Sequence, residues 1–553
     1  MRKASLIGSV ILYLLLIYFI AGYIIYPLII LVKESLFQEE SWFAVGFILY
    51  NFTSIESITN TLLLSVISVI GSCIIGTYLA YIIHFKRLKN KSIISSLILI
   101  PIATPPIIGT VAFLYLVGDN GILIRLSELI AGSKIIPSLD GWTAIIIVHL
   151  YSFYAFFYLF LSASLKKLDH SLVEASYTLG ANKVKTFFSV ILPHLFPAII
   201  GASLLVFMAS MASFSAPFIF GGNLKFITTS IYYNKINGDT VVSSLFSLLL
   251  VIISLISLII FTKFRKKTDY KLSSKGTIRI QGEQSKENAG ALNIGLVTLM
   301  ITIILLPLLA LLYLSLIPEG ALLRNIFKES LTLANYINLF KDPAIYTPFL
   351  NSFKMALVTV ALCMLIGLIA SLQITKGKSF FSKITEIFIS LPYGIPGTVI
   401  ALTLILSFNT PNWITIAPLV GTFIILPIAY TIRNIPLFTQ STISGLNNLD
   451  KSLEEASYSL GANKFYTFRK IIFPLILPSI INGSLLVFIN SMGEFVSTIL
   501  LYNYATRTVS IEIYSQLRMY NTGAGAVYGI LLFAFVIITV YITRKYLNER
   551  IAV

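Results

Sequence analysis

The chain has 553 residues, of which 57% are hydrophobic and only 11% charged, and its mean hydropathy is +0.89. A soluble domain carries about 25% charged residues, so composition alone excludes a soluble globular protein and makes this a polytopic membrane protein. The formal charge of +17 does not mark a nucleic-acid partner, because the basic residues are scattered in short segments between apolar runs, where they report topology.

Runs of about 20 apolar residues cross a bilayer as helices. In the first part of the chain they lie near 6–32, 58–83, 93–117, 142–165, 196–220 and 241–262, and in the second near 292–317, 350–375, 384–408, 414–436, 475–501 and 524–543. The expected fold is therefore all-α, with about twelve transmembrane helices. The first run follows Arg2 and Lys3. It is longer than a signal-peptide core and has no small-x-small cleavage site, so it reads as an uncleaved helix. Cys73 and Cys363 both fall in apolar runs; they are too few for a disulfide framework or thiolate metal site and read as small buried hydrophobes.

Charge orients the spans. The loop 84–92, with Lys86, Arg87, Lys89 and Lys91, is basic, as are 376–383 and the C-terminal Arg544, Lys545 and Arg550. The loop 33–56 instead holds Glu34, Glu39, Glu40 and Glu56. The positive-inside rule then places both termini in the cytoplasm. Six spans per half give the halves one orientation, a parallel repeat about an axis along the membrane normal. The expected divisions are a first half at 1–262, a polar cytoplasmic linker at 263–290 rich in Lys and Gly, and a second half at 291–553.

One stretch occurs twice. Residues 174–207 and 455–488 align without a gap and are identical at about 21 of 34 positions, which is an internal repeat. Each copy is a polar, Gly-containing segment that meets a proline and runs into an apolar span. Both fall on the cytoplasmic side, where a short polar element between spans is a docking surface rather than lipid-facing structure. In the first copy Asp169 or Ser171 is available as N-cap, Glu174 falls in the first helical turn, Gly180 ends the helix, and Pro193 and Pro197 mark re-entry into the membrane, with Pro474 and Pro478 as counterparts.

These residues resemble a family signature. Glu174, Ala175, Ser176, Gly180, Val190, Leu192 and Pro193, and again Glu455, Ala456, Ser457, Gly461, Ile471, Phe473 and Pro474, are similar to the Glu-Ala-Ala loop of permease subunits of binding-protein-dependent ABC importers. Ser replaces the third small residue in both copies. The resemblance implies a type I importer permease whose two loops each insert a short helix into a separate cytoplasmic ATPase. It implies two ATPase copies, an extracytoplasmic solute-binding protein and an inner-membrane location. On it, Glu174, Ala175, Gly180, Pro193, Glu455, Ala456, Gly461 and Pro474 are coupling residues. The fused layout and the segments 214–222 and 493–518 resemble the ferric-iron branch; thiamine, polyamines and phosphonates are the alternative solutes.

The chain contains no phosphate loop of its own. Before Gly377, Lys378 and Ser379 the required glycine is Leu372, and Gly523 and Gly525 are followed by Tyr528 where a dinucleotide fingerprint needs glycine. Nucleotide is thus expected on a partner, and this chain is expected to be no enzyme and to hold no cofactor. No His, Asp and Glu cluster has metal-ligand spacing, so no bound metal is expected either.

For the solute path, Glu494 is the acidic residue that stands out within a span, one helical turn from Asn490. Ser213 occupies the equivalent position in the first half, with Ser215 nearby. The competing reading places Glu494 at the outer interface or pairs it with Arg507 or Arg518. His149, beside Tyr151 and Tyr154, reads as a satisfied core histidine. A secondary transporter driven by an ion gradient would need several such intramembrane charges, and a membrane-embedded enzyme would need paired catalytic groups at one depth.

Overall fold

The computed structural model describes residues 2–272, 287–288, 290–320, 326–341, 343–377 and 380–551. Most of the expected linker therefore lies outside the described residues, while its first ten residues continue the helix Thr240–Leu272. Apart from a parallel two-residue bridge of Lys86–Arg87 with Glu287–Asn288, the described secondary structure is helical. The protein is an all-α, multi-pass membrane protein. Among the described residues ten helices are long and apolar enough to span a bilayer, and an eleventh is the pair Phe380–Gly394 and Gly397–Phe408, bent by 111°.

The chain forms two compact units that cut across the sequence halves. One comprises 50–229 and 252–313; the other comprises 1–49, 230–251 and 314–553. The first span, Val10–Leu36, thus packs with second-half residues. Tyr18 donates to the Ile414 carbonyl at 2.9 Å, and the Tyr23 ring stacks on Phe408 with centroids 5.5 Å apart.

Four matched helices build the centre of each unit. In the first they are α1 (Phe52–Phe85), α2 (Gly141–Leu165), α3 (His170–Thr178) and α4 (Leu192–Met211). In the second they are α5 (Pro343–Lys376), α6 (Ile425–Asn447), α7 (Lys451–Ser459) and α8 (Phe473–Met492). Helix α1 buries a stripe of Ser57, Thr61, Ser65 and Ser68, small side chains that let helices approach closely within a membrane. Their hydroxyls return to the carbonyls four residues back, at 2.9, 2.7, 2.8 and 2.6 Å, so none is left bare in an apolar medium. Closest approach comes at Gly76, where a Cβ would strike Phe157 and lie 2.7 Å from the Tyr154 carbonyl oxygen. In the second unit a Cβ at Gly367 would lie 2.5 Å from Phe438. Phe157 and Phe438 occupy the same place in the repeat, so both units use glycine against phenylalanine to seat the helix.

Several spans differ from their expected form, including the run 93–117, which breaks near Leu99 and again at Thr104 and Pro105. The run expected at 414–436 is loop to residue 424, and α6 then continues to Asn447. Helix α6 is too polar to register as a span, yet it packs between α5 and α8, both within candidate spans, and it is the repeat counterpart of the span α2. The helices after the duplicated loops begin upstream of their prolines, as continuous spans Lys183–Met211 and Lys464–Met492. Proline inside a helix removes a donor and crowds the preceding turn. Both helices absorb this in a π segment immediately before, Phe187–Ile191 and Phe468–Ile472.

Candidate functional site

The duplicated loops have one geometry twice. Asp169 caps α3 by accepting from the Ser171 amide at 3.0 Å, and Asp450 caps α7 by accepting from the Ser452 amide at 2.9 Å. Those hydrogen bonds hold both aspartate carboxyls below their ordinary range. Each helix ends alike. Gly180 and Gly461 both adopt φ of +82°, and their amides bond the Tyr177 and Tyr458 carbonyls at 2.9 Å. The next amides, of Ala181 and Ala462, reach back to the Ser176 and Ser457 carbonyls at 3.0 and 3.1 Å, closing a glycine C-cap. Asn182 and Asn463 then cap the following turn, each accepting at 2.8 Å from the amide three residues on.

The replacement of alanine by serine in the motif has a structural use. Ser176 bonds the Thr186 hydroxyl at 3.0 Å and Ser457 bonds the Thr467 hydroxyl at 2.9 Å. Each bond ties the loop helix to the start of the next span, so the elbow is rigid. Glu174 and Glu455 lie in the fifth helical position, which puts Glu174 just past the first turn expected for it, and both are exposed. Ala175 and Ala456 are exposed beside them, and Pro193 and Pro474 occupy the early turns of α4 and α8.

The surface of each loop is apolar where it is most exposed. Leu179 and Leu460 are 87% and 89% exposed, and Leu172, Val184 and Phe188 in one copy and Leu453, Phe465 and Tyr466 in the other are open as well. Such patches, rimmed by Glu and Lys on a polar segment, mark protein-interaction sites.

A second polar constellation lies in the unit that contains α6 and α8. Glu494, just past the end of α8, is 6% exposed, and its Oε1 accepts from Arg433 Nη1 at 2.7 Å. The same oxygen accepts from the Ser497 amide at 2.9 Å and from the Ser497 hydroxyl at 3.0 Å. The pair is therefore Arg433–Glu494; Arg507 instead pairs with Glu512 at 3.3 Å. Arg433 was legible as a cation in the apolar run 414–436, though sequence reasoning passed over it. Gly397 makes room for it, since a Cβ there would strike Nη1. One turn below Glu494, the exposed Asn490 donates to buried Asn434 at 3.3 Å.

The equivalent place in the other unit is less polar. In the register of the repeat Ser213 corresponds to Glu494, and it bonds His149 Nε2 at 2.9 Å. His149 Nδ1 is within reach of the Ser68 hydroxyl at 2.9 Å and the Ser210 hydroxyl at 3.2 Å, so this histidine is buried and partnered. Ser215 is buried, and its hydroxyl has no partner among the described residues. Both cysteines are free thiols, Cys363 buried and Cys73 half-buried. Among the described residues no group of three His, Cys, Asp or Glu side chains could hold a metal ion.

Comparison with known proteins gives a consistent picture. The profile of the family "Binding-protein-dependent transport system inner membrane component" matches twice, over residues 72–270 and 363–553. A ferric transport system permease protein, FbpB, of Actinobacillus pleuropneumoniae is 29% identical, over 95% of this chain and 76% of its own length. An Fe(3+)-transport system permease protein, FbpB 2, of Haemophilus influenzae is 28% identical, over 89% of this chain and 90% of its own. The probable ABC transporter permease protein y4fN of Sinorhizobium fredii is 24% identical, over 88% of this chain and 86% of its own.

Proposed function

The chain belongs to the family of binding-protein-dependent transport system inner membrane components, and on that premise we propose that it is the fused permease of an ATP-driven importer of iron(III). The observation that carries the reading is the pair of rigid, doubly capped loops, each with an exposed leucine at its tip, on a chain that has no nucleotide-binding motif. A leucine on a fixed elbow suits insertion into a groove on a separate cytoplasmic ATPase, one copy for each loop. The capped helix and the Ser–Thr bond would pass a push on the loop to α4 or α8 without slack. Driving such a two-state equilibrium from 1:99 to 99:1 takes about 5.5 kcal/mol of differential interaction, which a disordered loop would not transmit.

In this scheme an extracytoplasmic binding protein delivers solute, closure of the ATPase dimer around ATP opens the path outward, and hydrolysis reverses it. Both loops and both termini are cytoplasmic, in a bacterial inner membrane. Iron(III) is assigned from the names of the ferric relatives, which match along most of the chain. Glu494 and Asn490 in one unit, and Ser213 and Ser215 in the other, are placed along the path. The test is radiolabelled iron(III) uptake by cells holding the permease with its native partners, beside a Glu174→Arg/Glu455→Arg variant inserted at equal level. Uptake that the variant loses supports cargo and coupling together. Unchanged uptake in the variant refutes the coupling role, and no permease-dependent uptake in either refutes iron.

A further inference from the structure

Helix α6 is buried on nearly every side. Between Ile425 and Thr442 each residue is buried except Arg433, Leu437, Gln440 and Ser441. These four, with the exposed Ser444 beyond them, fall on one face at helical spacing. Lipid does not solvate the Arg433 guanidinium, about four turns before the end of α6, so this open face of a helix flanked by spans lines a water-filled path. Lower on the face Ser441 already donates to the Ser479 carbonyl at 2.7 Å. The repeat counterpart on α2 is Ser152, Phe156, Leu159, Phe160 and Ala163, nearly all apolar. Only one of the two stripes thus offers polar chemistry to a solute.

The sign of that chemistry follows from the ion pair. The carboxylate is turned inward, with its Oε1 engaged by three donors. The guanidinium is turned outward, 32% exposed against 6% for Glu494. Arg433 Nη1 alone is engaged; Nε and Nη2 have no partner among the described residues, and neither is a buried orphan. What the stripe shows the path is therefore a fork of free N–H donors with positive charge behind it, the geometry that receives an oxyanion. A bare trivalent cation would be repelled by it, although Oε2 of the paired carboxylate has no partner among the described residues and partly offsets that charge.

The geometry points to Arg433 as a cargo-recognition residue that accepts an oxyanion. This deepens the iron reading and rests on it for the path: the cargo crosses as an oxyanion-bearing species, and for iron(III) as an ion still carrying an anionic oxygen ligand, not as the bare ion.

The experiment uses cells with the full chain and its native ATPase and binding protein, supplied in parallel with radiolabelled iron(III) citrate and with iron-free radiolabelled sulfate and phosphate. Three variants are compared with wild type: Arg433→Lys, the neutral pair Arg433→Gln/Glu494→Gln, and the exchanged pair Arg433→Glu/Glu494→Arg. Losing a charged hydrogen-bond donor to cargo should cut uptake by about tenfold or more. Recognition predicts that loss in the neutral and the exchanged pairs, with partial retention in Arg433→Lys, at equal membrane levels and with the ATPase still co-purifying. A purely structural pair predicts the opposite for the neutral pair, which leaves no unpaired buried charge and keeps an oxygen at position 494 to accept from Ser497. The exchanged pair removes that acceptor, so loss there does not count for recognition, while retention there counts against it. Neutral-pair or exchanged-pair uptake within about twofold of wild type, far less than such a hydrogen bond is worth, overturns the inference.

Uptake of iron citrate alone identifies a metal-bound oxyanion. Uptake of iron-free sulfate or phosphate identifies a free one, upholding this inference while refuting iron. As a readout independent of transport, the purified chain in nanodiscs is melted in citrate, sulfate, phosphate or chloride at equal ionic strength. Oxyanion stabilisation over chloride that Arg433→Gln/Glu494→Gln abolishes is expected; the same salt dependence in wild type and variant would overturn the proposal.

Discussion

Glu494 and Arg433 are separated by 61 residues, and neither declares its partner locally. An isolated carboxylate in an apolar run is conspicuous, so Glu494 could be singled out from the chain alone. Its pairing is a tertiary fact, set by the packing of α8 on α6, and the nearer arginines Arg507 and Arg518 were the natural sequence candidates. Removing one partner of a buried pair leaves an uncompensated charge. Arg433→Ala is expected to destabilise the unit by about 3 kcal/mol, the low end for such a loss, because Ser497 still donates twice to the carboxylate. The melting temperature of the purified chain checks this, and an unchanged value would contradict the pairing. Gly397→Ala acts on the same residue by displacement; it should lower uptake while leaving ATPase co-purification intact.

The helix elbows belong to the next scale. The caps of α3 and α7 were readable from Asp169, Asp450, Gly180 and Gly461, because capping chemistry is local. The shift of Glu174 out of the first turn followed from Asp169, not Ser171 two residues on, taking the cap. At Gly180 and Gly461 a Cβ would project into open space, so substitution there is penalised by backbone conformation alone. Gly180→Val or Gly461→Val should cost about 1–2 kcal/mol and weaken ATPase co-purification, with Asn far better tolerated than Val. Equal tolerance of both would show that the left-handed turn is dispensable. Acidification gives a separate check. Both cap carboxyls titrate below the ordinary value of about 4, so the cap contribution is complete above that value and fades only as pH falls through the lowered ones. Co-purification should therefore lose nothing to cap titration between pH 8 and pH 5, and earlier loss must have another origin. The hydropathy signal fails on α6 for a related reason: that helix packs between α5 and α8 and carries polar residues on its open face, so the lipid-driven pattern has no purchase on it.

At the scale of the whole molecule, the duplication was evident in the chain but the division into packed units was not. No sequence pattern says that residues 1–49 pack with 314–553, since an all-round apolar helix suits any neighbour. The arrangement predicts how severed halves behave. A first half expressed alone lacks the residues on which Tyr18 and Tyr23 rest, and a second half alone lacks the helix that covers Phe408 and Ile414. Fragments 1–280 and 281–553 should co-purify when made together and be degraded when made singly, as read by immunoblot of membranes. Stable accumulation of either one alone would contradict the exchange.

That exchange also sets a schedule for biogenesis. Tyr23 leaves the ribosome roughly 385 residues before Phe408, an interval of about 20–80 s at ordinary elongation rates of about 5–20 residues per second. For that time the Tyr23 ring has no Phe408 to stack on. The most apolar 18 residues of the first span, Val10–Leu36, have a mean hydropathy of 2.5 and are suited to the wait. Helix α6, with Arg433 and Gln440, could not tolerate such a delay. Its neighbour α5 is already synthesised and α8 follows within a few tens of residues, so the wait of the polar helix for its shelter is short.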